Sequence, residues 1–304
     1  MNLERAHGEI VDIMPEERVL TDQPMSEHTS FKTGGKADLL VLPASASQLK
    51  NALRLLYAYD VPYIVVGRGT NILVGDSGIR GAVVKIADAY DEISIKGDLL
   101  TAESGAALNS IVKAGHEHGL VGLEFLAGIP GSVGGAVVMN AGAYGGEVKQ
   151  YIQHVEVING AFEKKEIIAA NLGLSYRTSN IQNSNKYITK AVFRLEKGNL
   201  EKAKGYMKEL SKKRRDTQPL TSPSAGSIFK RPVGHYAGKL VEQAGLKGHT
   251  IGGASVSSKH AGFIINNGGA TSKDIFTLIN YIQDRVYSKE GVKLETEVKI
   301  LGEF

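Results

Sequence analysis

The sequence predicts an α+β protein in which short strands and amphipathic helices carry glycine loops. Three observations predict it. Apolar side chains recur at helical spacing over residues 45–59 and 272–286. Strand-like runs lie beside turn signals around Gly97 and Asn159-Gly160. Glycine is concentrated in Gly122–Gly146, where it makes up eight of 25 residues against 36 of 304 overall. Glycine loses more backbone entropy on folding than any other residue, so such clustering asks for a cause: φ > 0, or an approach too close for a Cβ.

Residues 1–25 read as a loosely attached lead-in without chemistry. From Thr29, T-S-F-K-T-G-G-K-A-D-L-L-V-L-P gives a glycine turn and an apolar strand stopped by Pro43. Ser45 caps a helix to Tyr59 with Leu49, Ala52, Leu53 and Leu56 on one face. Tyr63–Val66 is a short buried strand that runs directly into Gly67-Arg68-Gly69-Thr70-Asn71. A glycine loop at the carboxyl end of a strand is where α/β folds place ligands, and a plain turn is the alternative. Val83–Ile86, Ile93–Ile95 and Leu99–Ala102 read as strands, the last two joined by a hairpin at Lys96-Gly97-Asp98. A helix over about 106–118 ends at Gly119. Its His116 and His118, two apart, point to different faces and read as surface side chains rather than metal ligands.

Beyond the glycine-rich centre, His154–Ile158 and the turn Asn159-Gly160 form a second hairpin. Tyr176-Arg177-Thr178-Ser179 lies in a polar loop before the strand Tyr187–Leu195. Asn199 caps a helix through Leu210, ending in Lys212-Lys213-Arg214-Arg215, a basic run that suits a helix C-terminus. Ser224–Pro232 is a small-residue loop ending in cations. Ser272 caps an amphipathic helix carrying Ile275, Leu278, Ile279, Ile282 and Val286. Val292–Ile300 alternates as a strand, with Lys293, Glu295, Glu297 and Lys299 on its polar face.

Composition excludes several classes. Cysteine is absent, which removes disulfides, thiolate metal sites, iron–sulfur clusters and cysteinyl attachment of a cofactor. The net charge of +4 favours anionic ligands mildly, without a nucleic-acid module or interleaved aromatics. No apolar run approaches the ~18 residues of a membrane span, and the first 20 residues lack the apolar core of a signal peptide. A cytoplasmic location follows by default, with no membrane insertion and no obligate protein partner evident. No G-x-x-x-x-G-K-[ST] occurs, and Gly67-Arg68-Gly69-Thr70-Asn71-Ile72 lacks the third glycine of a dinucleotide fingerprint. What remains is a pair of glycine loops whose bare backbone N–H groups suit a pyrophosphate. A set of tight turns in an ordinary domain is the plainer reading of both.

Taken in order, G-R-G-T-N-I-L-V, G-I-P-G-S-V-G-G-A-V-V-M-N-A-G-A-Y-G-G-E, S-Y-R-T-S, A-G-S-I-F-K-R-P and L-E-T-E-V resemble the UDP-N-acetylenolpyruvoylglucosamine reductase family. The resemblance runs from about Thr29 to Leu301. It implies a vanillyl-alcohol-oxidase (PCMH) type FAD-binding fold of two α/β subdomains plus a third α+β substrate-binding domain. The corresponding ranges are 1–95, 96–200 and 201–289, with 290–304 returning to the FAD-binding region. Non-covalent FAD would be held by Gly67, Arg68, Gly69, Thr70 and Asn71 and by Gly128, Ile129, Pro130, Gly131, Ser132, Gly134 and Gly135. Asn140, Gly142, Ala143 and Tyr144 would line it further along.

The reaction implied is NADPH-dependent reduction of a UDP-sugar enolpyruvyl ether in peptidoglycan synthesis. Ser227 would donate the proton, while Arg177 and Glu297 would stabilise the enolic carboxylate. Glu295 shares the polar face, but the family's motif puts the role on its second glutamate. Arg214, Lys230, Arg231 and Lys259 are candidates for the UDP phosphates, with surface cations as the plainer reading. The chain matches the family's short form, without the loop whose tyrosine closes over substrate. The alternatives are another FAD oxidase or dehydrogenase of the same fold and, remotely, a basic nucleic-acid-binding protein.

Overall fold

The computed structural model describes residues 2–304, and the chain divides into two compact units. The first comprises 2–21, Leu39–Arg68 and Gly81–Lys212; the second comprises Asp22–Asp38, Gly69–Arg80 and Lys213–Phe304.

The first unit contains two hydrophobic cores. One gathers Ala6, Ile10, Leu39, Leu49, Leu53, Leu56, Val84 and Tyr90, all fully buried. It lies around helices α1 (Leu3–Val11) and α2 (Ala46–Ala58) and a four-stranded sheet ordered 19–24, 36–41, 79–85, 63–66. The N-terminal segment is therefore not a loose lead-in. Ala6 and Ile10 fall on one face of α1 at i,i+4 spacing and are buried, which anchors the helix. Asn2 caps it, its side chain accepting from the Arg5 N–H. Glu4 and Glu9, on the other faces of α1, are exposed.

The second core of this unit lies under a five-stranded antiparallel sheet ordered 164–168, 152–158, 187–194, 99–103, 93–96. Helices α3 (Leu108–Glu117) and α4 (Val133–Val138) belong to this core. The Lys96–Leu99 pairing leaves Gly97-Asp98 as a two-residue hairpin loop, as expected. The hairpin at Asn159 is longer: Lys164 pairs with Ile158, so five residues form the loop. Asn159 Oδ1 closes it by accepting from Ala161 and Glu163. His116 is not a surface side chain. It turns inward and meets the buried Glu124 carboxylate at 2.9 Å, while His118 is exposed. Helix α5 (Leu200–Thr217), capped by Asn199, continues past Leu210, so the basic run lies on its last turns.

The second unit is built around helices α6 (Ala237–Gln243) and α7 (Ser272–Glu290) and a three-stranded antiparallel sheet, 250–251, 254–256 and 264–266. Ile275, Leu278, Ile279, Ile282 and Val286 fill its core, the stripe expected from the sequence. The cap of α7 is Thr271 rather than Ser272. Thr271 and Asp274 form a reciprocal capping box. Asp76 adds a second clamp, accepting from the N–H groups of Ser272 and Lys273 at 2.8 Å each.

Val292–Ile300 is not a continuous strand. A lone bridge at Thr296 precedes Lys299–Leu301, which pairs in parallel with Ile72–Val74. Its alternation survives in burial, with Leu294 and Val298 inside and Lys293 and Glu295 outside. Only its end meets a full partner strand, because Thr296 and Glu297 pair with the Ser227–Lys230 loop instead.

Candidate active site

The glycine loops have distinct physical causes. In the first unit, a Cβ on Gly67 would stand 2.5 Å from Ser132 Oγ, so the two loops approach closely here. In the second, Gly69 has φ +69° and lies against the His28 carbonyl, which a Cβ would overlap. Gly134 is a glycine for the protein's own packing. A Cβ there would meet Ser104 Cβ at 2.9 Å, and its N–H already donates to the Ser104 carbonyl at 2.8 Å. Gly128 N–H donates to Asn109 Oδ1, and Gly135 N–H reaches Ser132 Oγ. Backbone N–H groups without an acceptor among the described residues include those of Gly67, Arg68, Gly131 and Ser132 in the first unit and those of Gly69, Thr70 and Asn71 in the second. These fit an anionic pyrophosphate. Arg68, beside them, is held by Asp88 at 2.6 Å and by the Gly105 carbonyl at 3.2 Å.

Further along the first unit, Gly142–Ala143 and Gly146–Glu147 form a tiny hairpin around Tyr144-Gly145. Both turn residues have positive φ, the twist that two-residue hairpins need. Asn140 is buried and fully used. Its amide donates to Glu147 and to the Ser175 carbonyl, and its oxygen accepts from Lys149 N–H. Its task is to tie this hairpin to the turn Ser175–Thr178. Arg177 stands in that turn with φ +55° and donates to the Gly142 carbonyl at 3.4 Å. A left-handed arginine is uncommon and is held here by the paired Ser175 and Thr178 backbones and by Gln182, which donates to its carbonyl.

The second unit brings Ser227 and Glu297 onto neighbouring segments. Gly226, at φ +78°, turns the chain so that Ile228 and Phe229 are buried while Ser227 stays part-exposed. Glu297 N–H donates to the Ile228 carbonyl at 2.7 Å, and Phe229 bridges Thr296. Asn71, last residue of the first glycine loop, donates from its side chain to the Glu297 carbonyl at 3.2 Å. Ser227, Glu297 and Asn71 thus share one framework. Glu295 is exposed and pairs with Lys230 at 3.2 Å.

The cations differ among themselves. Arg214 is buried on α5. Lys259 donates to the Arg215 carbonyl. Arg231 is exposed, lies 4.0 Å over the Tyr236 ring and donates to the His235 carbonyl. Among the described residues no group of three or more His, Cys, Asp or Glu could hold a metal ion. No helix there is long and apolar enough to cross a membrane.

Residues 37–161 match the description "FAD binding domain", and residues 218–301 match "UDP-N-acetylenolpyruvoylglucosamine reductase, C-terminal domain". Across 98% of both chains, the sequence is 44% identical to the UDP-N-acetylenolpyruvoylglucosamine reductase of Alkaliphilus oremlandii. Across 96% of both, it is 48% identical to that of Caldanaerobacter subterraneus. The chain belongs to the UDP-N-acetylenolpyruvoylglucosamine reductase family. The crystal structure of the Thermus caldophilus reductase superposes with a TM-score of 0.80 at 33% identity, covering 92% of this chain and 97% of that one. A grass-pollen glucose dehydrogenase, Phl p 4, is similar at a TM-score of 0.52 and 15% identity over 74% of this chain. That second likeness concerns the fold alone, the vanillyl-alcohol-oxidase type shared by the reductase family.

Asp76 carries no signal in the sequence, and His260 stands out there only as a member of the glycine-rich region Leu246–Gly269. Asp76 acts on a helix far away in the chain. His260 is linked to the Ser227 segment through Gly262, whose N–H it accepts and whose carbonyl accepts from Ile228. Neither has a local sequence signature.

Proposed function

We infer that the chain reduces UDP-N-acetylenolpyruvoylglucosamine to UDP-N-acetylmuramate in the cytoplasm, with non-covalently bound FAD and with NADPH as hydride donor. The observation that supports this reading is the Glu297 N–H donating to the Ile228 carbonyl, which ties the Glu297 backbone to the residue next to Ser227, with Asn71 of the glycine loop donating to the Glu297 carbonyl. The N–H groups of residues 67–71, Gly131 and Ser132 would hold the pyrophosphate of FAD. When bound, FAD supplies hydride to the terminal enolpyruvyl carbon. That addition leaves carbanion or enol character beside the substrate carboxylate, and side chains handle the rest. Ser227 donates a proton from its Oγ to the carbon beside the carboxylate, the one left with the electron pair. Its hydroxyl is a weak acid, suited to a strongly basic carbon centre. Arg177, a fixed cation, and Glu297, through hydrogen bonding, stabilise the charge on the enolic carboxylate. Arg214, Lys230, Arg231 and Lys259 are the cations available to the UDP phosphates.

The test separates the two half-reactions of Ser227→Ala by stopped flow. Bleaching of the flavin by NADPH needs no protein proton at carbon and proceeds near the wild-type rate. Reoxidation by the enolpyruvyl nucleotide slows by about 10²–10⁴-fold, the usual consequence of losing a general acid. Reoxidation within about tenfold of wild type removes Ser227 from this role.

A further inference from the structure

His260 has one ring nitrogen committed. Its Nδ1 lies 3.1 Å from the backbone nitrogen of Gly262 and accepts that N–H, so the neutral ring carries its proton on Nε2. The same Gly262 presents its carbonyl to the Ile228 N–H at 2.9 Å, and the Ile228 carbonyl accepts from Glu297 N–H at 2.7 Å. Ser227 bridges Phe263 in this ladder. A Cβ built on Gly262 would stand 3.1 Å from His260 Nδ1 and 3.5 Å from Ser227 Oγ, so the imidazole and the hydroxyl flank one glycine. The ring is half-buried and packs edge-on against Phe263, with centroids 4.9 Å apart.

We propose that His260 is a positioning residue for the proton-delivery step, its Nδ1 acting as the acceptor that fixes Gly262 and, through it, the Ser227–Glu297 register. Protonation of Nδ1 turns the acceptor into a donor aimed at the Gly262 N–H, so the hold exists only while the ring is neutral. Burial favours the neutral ring and lowers its pKa below the ordinary 6.5. The charged groups acting on the ring are Lys247, which lowers the pKa further, and Glu242, which raises it. These two pair with each other at 2.9 Å. Lys259, the chain neighbour, is directed to the Arg215 carbonyl. With folded pKa depressed, the positioning is complete above about pH 6.5 and is lost as pH falls through the lower folded value.

This inference rests on the reading that Ser227 and Glu297 serve the second half-reaction, and the test keeps the two apart. His260→Asn retains an acceptor that can reach the N–H two residues on, as asparagine does in Asx turns, and it does not titrate. His260→Leu retains bulk and loses the acceptor. Both variants and wild type are followed by stopped flow between pH 5 and 8 for flavin bleaching and for reoxidation. The expected result has three parts. Wild-type reoxidation falls off on the acid side. His260→Asn reoxidises near the wild-type neutral rate without that acid limb. His260→Leu is slower by about 3–10-fold at every pH, the worth of one hydrogen bond. Bleaching by NADPH is unchanged in all three. An acid limb that persists in His260→Asn, or His260→Leu reoxidising like wild type, overturns the proposal. If His260→Leu is also slow in bleaching, the histidine supports the unit as a whole, and the positioning role is overturned too. Ser227→Ala, run alongside, reports separately on the underlying reading: if it reoxidises normally, that reading fails whatever His260 shows.

Discussion

At the residue scale, glycines that look alike in the sequence do different jobs. Gly67 needs only that Ser132 Oγ stay where it is, and a hydroxyl can rotate away. Gly69 combines a left-handed conformation with a backbone carbonyl that cannot move aside. Gly67→Ala is therefore expected to cost the apoprotein only ~0.5–1 kcal/mol, the weakened Ser132 cap, while lowering FAD affinity by about tenfold or more (~1.4 kcal/mol). Gly69→Ala is expected to cost roughly 2–4 kcal/mol from strain and overlap. Urea denaturation of the apoproteins and flavin titration check both. Equal FAD affinity for wild type and Gly67→Ala would exclude its loop from the cofactor site. That these loops needed glycine was legible, because clustering is a local property of sequence. The neighbour that makes each glycine necessary was not, since Ser132, Ser104 and His28 come from other segments. For Gly134 that neighbour is Ser104.

At the element scale, periodicity located both ends of α2 within a residue and the start of α7, whose end lies four residues beyond its last apolar stripe residue, Val286. It failed where an element depends on others. The C-terminal run alternates as a strand should, but the segment beside it is the Ser227–Lys230 loop, so only Lys299–Leu301 forms a full ladder. The start of α7 is a similar case. Thr271 and Asp274 cap it locally, one residue before the Ser272 expected from the sequence, and Asp76 contributes two further bonds from a distant loop. Charge-assisted caps of this type are worth ~1–2 kcal/mol, so Asp76→Ala is expected to lower stability by that amount. Asp76→Asn should fall between the two, because its amide keeps one accepting oxygen. The check is the shift in urea midpoint. An unchanged midpoint for Asp76→Ala would mean that the Thr271 box alone saturates the helix terminus.

At the scale of the whole molecule, the family's "FAD binding domain" spans residues 37–161 and draws on both cores of the first unit. The α1 helix, outside that span, packs into one of those cores through Ala6 and Ile10, which is why the N-terminus proved integral. A cofactor held without a covalent bond should contribute to stability by mass action. Without cysteine, attachment could involve only histidine or tyrosine. Acid precipitation of the yellow protein is therefore expected to leave all flavin in the supernatant. For the refolded apoprotein, each tenfold rise in free FAD above its dissociation constant should add ~1.4 kcal/mol of unfolding free energy, because the ligand binds only the folded state. At a hundredfold excess the gain reaches ~2.7 kcal/mol. Flavin retained in the acid pellet would establish a covalent link. A stability gain that levels off while FAD still rises would show that the unfolded chain binds it as well, which a site assembled from two folded glycine loops does not permit.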